Sequence, residues 1–343
     1  MENQIFLRAC MKQKVERTPI WIMRQAGRYL PEYREIRKKF SFHEMMHTPS
    51  LMSDVTLLPF ERFDLDAAIM FSDILVIPES LGMSFTLVPG VGPVFNEKIQ
   101  SRSDIEKLSL NIEYFKNIYD GINTVRKNLS KSVSLIGFSG TAWTIACYML
   151  EGKPSKDYSK IRLLMHNDYE SFTLLMDKIT DSISKYVNGQ IDSGVDAIQF
   201  FDSNSLFISQ DDFEKYSLPY IKDIVTTVNN RGVPSIYFAR SIPSILSYLL
   251  EINCSVVGVD WSINLGTVRN TLSDKVSLQG NLDPSVLLCS NEVIEQKTKE
   301  VLKSYGRGYG HIFNLGHGIT PGVNPESVQK VIQTVKNFSP QFK

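Results

Sequence analysis

Eight short runs of β-branched, aromatic and other apolar residues, each ending at a polar or glycine cluster, recur along the chain and decide what it can fold into. They are Pro19–Met23, Ala67–Phe71, Ser134–Phe138, Ala197–Phe201, Ser235–Phe238, Val256–Val259, Val276–Leu278 and His311–Leu315. Apolarity that is nearly unbroken marks strands buried on both faces, and such strands belong to parallel sheets. Amphipathic stretches separate them, among them Asp168–Gln190, Phe213–Asn229, Val293–Ser304 and Pro325–Phe338, each long enough for a crossover helix. With no Gly-Ser or proline-rich linker between halves, the pattern predicts one (β/α)8 TIM-type barrel over residues 1–343 rather than an open doubly wound sheet. The piece from Ile74 to Lys131 is too long for a single helix and contains Val88-Pro-Gly-Val-Gly-Pro-Val94, so it predicts an insertion after the second strand, with a hairpin over one barrel end. Asp283-Pro284 and Asn324-Pro325 place a capping side chain before a proline at the first helical position, and Gly306 is a C-terminal stop.

Composition narrows the partners. Lysine and arginine number 37 and aspartate and glutamate 37, so no global field draws a polyanion, and nucleic acid is not expected. The compact apolar run Ala142–Leu150 is far short of a membrane span, and the charged first residues are neither a signal peptide nor a transit peptide. Cys10, Cys147, Cys254 and Cys289 lie far apart with no C-x-x-C pair, which fits a reducing cytoplasm.

In such a barrel the residues just beyond the strand ends line one mouth, where barrel enzymes keep their sites. Here they are Arg24, Gln25 and Arg28; Ser72 and Asp73; Ser139 and Gly140; Asp202 and Ser203; Arg240; Asp260; Asn281 and Asp283; Asn314 and His317. Arg24 and Arg28, four apart in Met23-Arg-Gln-Ala-Gly-Arg-Tyr29, make a fork for carboxylate or phosphate groups, with Gly27 letting backbone approach a ligand. The segment His43-Glu-Met-Met-His47 matches the H-E-x-x-H pattern of zinc hydrolases, but Thr48-Pro49 stops the helix and no third ligand follows in the chain, so no metal is expected. Gly306-Arg-Gly-Tyr-Gly310 lacks the dinucleotide spacing and precedes a strand, Gly137-Phe-Ser-Gly140 falls short of a serine nucleophile elbow, and no Walker A sequence occurs.

The segment from Pro19 to Arg34, reading Pro-Ile-Trp-Ile-Met-Arg-Gln-Ala-Gly-Arg-Tyr-Leu-Pro-Glu-Tyr-Arg, resembles the N-terminal signature of the uroporphyrinogen decarboxylase family of haem biosynthesis. Ala67 to Leu75, Leu135 to Phe138, Trp143-Thr with Tyr148 to Gly152, Leu278 to Pro284 and Asn314 to Gly318 resemble it in the same order over nearly the whole chain. The resemblance implies a barrel enzyme without cofactor, generally a homodimer, that removes the four acetate carboxyls of uroporphyrinogen III to give coproporphyrinogen III. It implies Asp73 as the catalytic residue, with Arg24, Gln25, Ala26, Gly27, Arg28, Asp73, Tyr148, Ser203 and His317 binding substrate. Two loops depart from the family pattern, Gly140-Thr-Ala-Trp143 and Phe201-Asp-Ser-Asn-Ser-Leu206. A related branch of zinc-dependent corrinoid methyltransferases carries a His-x-Cys pair where this chain has Ala239-Arg-Ser241. Two other readings compete: a non-catalytic tetrapyrrole-binding protein on the same fold, and a zinc-dependent enzyme built on His43 and His47.

Overall fold

The structure is a computed structural model and describes residues 4–343. Seven parallel strands form one curled sheet in the order β1 (Ala67–Ile69), β4 (Ser134–Gly140), β5 (Ala197–Asp202), β6 (Ser235–Ala239), β7 (Val256–Gly258), β8 (Ser277–Gln279) and β9 (His311–Ile312). Between β1 and β4, β2 (Phe85–Val88) and β3 (Gly92–Phe95) form an antiparallel hairpin around the turn that the sequence places there.

The eighth stave is Pro19–Met23, and it closes the barrel with almost no ladder. It makes one parallel bridge, Ile20 to Phe313, and Ile20 carbonyl accepts from Asp66 N–H at 2.9 Å on the other side. Side chains take the remaining amides. Asp66 Oδ2 accepts from Ile20 N–H (2.8 Å), Gln25 Oε1 from Ile22 N–H (3.1 Å) and Asn314 Oδ1 from Met23 N–H (2.8 Å). All three acceptors are buried, so these bonds replace solvent that the amides have lost. Asp66 is itself held by both terminal nitrogens of Arg17 at 2.6 and 2.7 Å.

Alternation along each strand builds two apolar layers. Ala67, Ile136, Ala197, Ile236, Val256 and Ile312 turn inward against Trp21 and the helix Ile5–Cys10. Their neighbours Ala68, Leu135, Ile198, Tyr237 and Val257 face the surrounding helices. The Ile5–Cys10 helix covers the end at which the strands begin, where Ser277 Oγ donates to the carbonyls of Ala9 and Cys10 at 2.9 and 3.0 Å. At the opposite end, past the strand ends, Arg24, Arg28 and Arg240 are exposed.

The helices follow the sequence with small shifts. Asp168 caps Tyr169–Asp192 by accepting from Ser171 N–H, and Asn324 caps Pro325–Phe338. The stretch expected as one helix from Phe213 to Asn229 begins instead as a wide turn, Phe213–Ser217, and becomes regular only at Leu218–Asn229, where Pro219 supplies no N–H to the ladder.

Candidate active site

Beyond Met23 the chain turns at once. Arg24 takes a left-handed conformation, φ 66°, which costs a residue with a Cβ about 1 kcal/mol or more and is held by the fixed bonds on either side. Gly27 is required next, because a Cβ there would lie 2.9 Å from the Arg24 carbonyl oxygen. Its small size thus serves the turn itself, where the sequence suggested approach to a ligand. The result presents Arg24 and Arg28, both exposed, with no carboxylate partner for either guanidinium among the described residues. A third such arginine, Arg240, follows β6, its carbonyl fixed by Ser205 Oγ at 2.6 Å while its side chain stays unpaired. It belongs with the site, and only its place at a strand end marked it in the sequence.

Gln25, expected among the substrate ligands, has its side chain inside the turn. Its side chain is 1% exposed and engaged at both ends, Oε1 with Ile22 N–H and Nε2 donating to the Ala67 carbonyl at 3.2 Å. It ties the arginine turn to β1 and positions Arg24. Ala26 packs its methyl against the apolar cluster around Tyr29, Leu30 and Leu315, leaving backbone alone for a ligand.

Asp73 stands on the neighbouring stave, in the turn after β1, where its Oδ1 accepts from Leu75 N–H at 2.8 Å. Burial pushes its carboxyl above the usual aspartate range, while the Leu75 amide and the Arg24 charge work in the opposite direction. Asp73 is thus a partly desolvated carboxyl within the field of Arg24. Tyr148, half-buried and edge-on to Tyr158 with ring centroids 5.7 Å apart, feels the Asp73 charge, and burial holds its phenol protonated. His317 is half-buried beside Phe238, and its pKa is lowered to about 4 by burial and by the Arg24 and Arg240 charges. At neutral pH it is an uncharged imidazole, a hydrogen-bond donor but not a counter-ion.

Ser203 sits above a buried strut. Asp202 accepts from Thr141 and Thr144 hydroxyls, each at 2.8 Å, and from Tyr237 Oη at 2.8 Å. Trp143 Nε1 donates to the Asn204 carbonyl at 3.1 Å. The two loops that depart from the family pattern are therefore fastened to each other, and Thr141 supplies one of the fastenings.

The H-E-x-x-H segment is not built for hydrolysis. Its helix is only Phe42–His47, as Pro49 requires. Glu44, which would have to act as general base, caps that helix instead: its carboxylate accepts from Ser41 N–H at 2.7 Å while Ser41 Oγ accepts from Glu44 N–H at 3.1 Å. The absence of a third ligand, however, does not hold in space, because Glu79 comes to within reach of both histidines.

The pattern of the uroporphyrinogen decarboxylase family matches residues 1–338. The chain belongs to this family. Uroporphyrinogen decarboxylases from Saccharophagus degradans and Legionella pneumophila are 43% and 42% identical to it, each alignment covering 100% of this chain and 99% of the relative. One from Coxiella burnetii is 41% identical over 99% of this chain and 96% of its own length. Among solved structures, a methyltransferase from Methanosarcina mazei superposes with a TM-score of 0.83 over 97% of both chains at 17% identity, a likeness of fold. Family membership makes the chain a carboxy-lyase on a TIM-type barrel, as its sequence motifs implied. No helix among the described residues is long and apolar enough to cross a membrane.

Proposed function

We propose that this family member removes the acetate carboxyls of uroporphyrinogen III to give coproporphyrinogen III, using Arg24, Arg28 and Asp73 on adjacent staves of the barrel mouth. The observation that carries the reading is the pairing of a desolvated carboxylate with unpaired arginines: Asp73 lies within the field of Arg24, and no acidic side chain among the described residues neutralises either Arg24 or Arg28. A polycarboxylate is the ligand such a mouth lacks.

Loss of CO2 from an acetate arm needs an electron sink, which the pyrrole supplies. Protonation of the α ring carbon next to the one bearing the arm gives a conjugated cationic iminium; the bond from the arm's CH2 to the carboxylate carbon breaks, its electron pair forms an exocyclic C=CH2 and neutralises the iminium, and CO2 departs. Protonation of the exocyclic methylene then yields the methyl, and loss of the proton first added to the ring carbon restores the pyrrole, so one proton is consumed for each CO2 released. Asp73 accepts hydrogen bonds from pyrrole N–H groups and offsets the developing cation in a water-poor cleft. Arg24 and Arg28 clamp peripheral carboxylates, and Tyr148, Ser203 and neutral His317 donate hydrogen bonds to them. A mere tetrapyrrole carrier would need the arginines but not a desolvated Asp73.

The reading extends to a homodimer in the cytoplasm, which the family resemblance implies; free Cys10, Cys147, Cys254 and Cys289 suit a reducing compartment. Anaerobic incubation of the purified protein with uroporphyrinogen III tests the whole. Stepwise loss of four carboxyls without added cofactor supports it, and recovery of unchanged substrate in tight complex with folded protein would make it a carrier.

A further inference from the structure

Beyond the Asp73 turn, three side chains that the decarboxylation does not use converge from two helices. His43 and His47 lie on one face of Phe42–His47 with ring centroids 4.2 Å apart and planes tilted by 47°, and Glu79 comes from Val76–Ser80, the helix that follows the Asp73 turn. His43 Nδ1 lies 3.8 Å from Glu79 Oε1, and one donor atom from each of the three residues falls within 4.8 Å of the others.

We propose that His43, His47 and Glu79 bind a divalent transition-metal ion of the zinc class, which fastens the helix Phe42–His47 to the helix Val76–Ser80. Two imidazoles and a carboxylate are a donor set that suits such an ion. Around a tetrahedral zinc with bonds near 2.1 Å the donors stand about 3.4 Å apart, so the observed arrangement must contract by roughly an ångström. The contraction falls to His43, whose side chain is 64% exposed, whereas Glu79 is 6% exposed and fixed.

An outer shell is already in place. Tyr114 Oη donates to Glu79 Oε2 at 2.6 Å and lies 3.0 Å from His47 Nε2. With its proton given to the carboxylate, the phenol oxygen accepts from His47 Nε2–H. That leaves Oε1 of Glu79, the oxygen that faces His43, for an ion. A hydroxyl that orients two ligands at once is the arrangement that tunes metal centres. Since Glu44 is committed to its cap, the ion fastens and does not hydrolyse.

The test uses untagged, metal-stripped, full-length protein titrated with Co2+ and then Zn2+. One equivalent of Co2+ should bind with the visible bands of a tetrahedral nitrogen–oxygen site and without thiolate charge transfer, and Zn2+ should displace it. His43→Ala and Glu79→Gln should each weaken binding at least tenfold, Tyr114→Phe by about tenfold, and Glu44→Gln not at all. Zinc should raise the melting temperature of the wild type but not of His43→Ala, whose surface position spares the fold. Absence of saturable binding below millimolar ion overturns the site. So does binding that survives in folded His43→Ala and Glu79→Gln but disappears with Cys289→Ser, since Cys289 is an exposed free thiol.

Discussion

Arg24 lies across Gly318 so closely that a methyl group at 318 would sit 2.3 Å from Arg24 Cδ and 2.7 Å from its Nε. The glycine of Asn314-Leu-Gly-His-Gly318 is the floor on which the arginine rests. Gly318→Ala should therefore push the guanidinium away and cut kcat/KM by about tenfold or more, because a site of this kind tolerates little displacement. What must yield is a flexible side chain, so the melting temperature should stay near wild type. Gly316→Ala is the contrast, since its Cβ would meet Trp261 backbone N at 2.3 Å and should cost stability. A Gly318→Ala enzyme with wild-type turnover and affinity would show that the resting place of Arg24 is immaterial.

Removing either arginine head group tests the clamp directly. A desolvated charge-assisted contact contributes roughly 1.5–3 kcal/mol, so Arg24→Ala and Arg28→Ala should each lower kcat/KM by at least about tenfold while leaving the fold intact. Lysine should rescue incompletely because it lacks the planar fork. Steady-state kinetics on variants with wild-type melting curves decides it; normal turnover in both would remove the clamp from the mechanism.

Asp73→Asn keeps the shape and one acceptor but removes the charge. If Asp73 offsets the pyrrole cation, kcat should fall by about 10² or more, or some 2.7 kcal/mol, with a smaller loss in substrate binding. Turnover within threefold of wild type in a folded variant would reduce Asp73 to the cap it forms on Leu75.

The same carboxylate fixes a pH dependence. Burial raises the Asp73 pKa and the Arg24 charge opposes the rise, so the acid limb of kcat/KM should lie above the usual aspartate range. Replacing Arg24 by Gln removes the opposing charge, raises the pKa further and moves the limb to higher pH. Arg28→Gln should lower the profile without moving it. A limb that does not shift in Arg24→Gln would separate the two groups electrostatically.

His311 sets a second pH dependence, in stability. It is fully buried, stacked on Tyr305, with Nε2 3.0 Å from the Gly280 carbonyl, and burial lowers its pKa to about 3. Below pH about 6.5 the unfolded chain takes up a proton there that the folded one refuses. The stabilising contribution is thus complete above that pH and is lost as pH falls toward 3. Urea unfolding of wild type and His311→Gln should show the difference between them shifting by about 2 kcal/mol against wild type from pH 7.5 to 5. A pH-independent difference would mean that the folded chain protonates His311 as readily as the unfolded one.

All eight staves are visible in the sequence as apolar runs, because a strand buried on both faces leaves little room for polar residues. The first stave is legible as apolar but not in how it bonds, since acceptors from Asp66, Gln25 and Asn314 lie 46, 3 and 291 residues away. Gln25 shows the cost: its motif position suggested a ligand contact, and only the fold reveals that both ends of its amide are taken. Arg24, Arg28 and Asp73 could be read from motifs at strand ends. Glu79 could not, since nothing in its own stretch of chain signals the two histidines more than 30 residues upstream that a helix packing brings to it.

The seam at the first stave also sets an order on the chain's synthesis. The arginine turn leaves the ribosome well ahead of its partners: Met23 N–H waits for Asn314, 291 residues on, and Ile20 for its bridge to Phe313. A nascent or truncated chain that stops before residue 311 carries both clamp arginines but lacks the bridge and the amide that hold their backbone. The backbone that carries Arg24 and Arg28 is thereby left without these partners until residues 311–315 have been made.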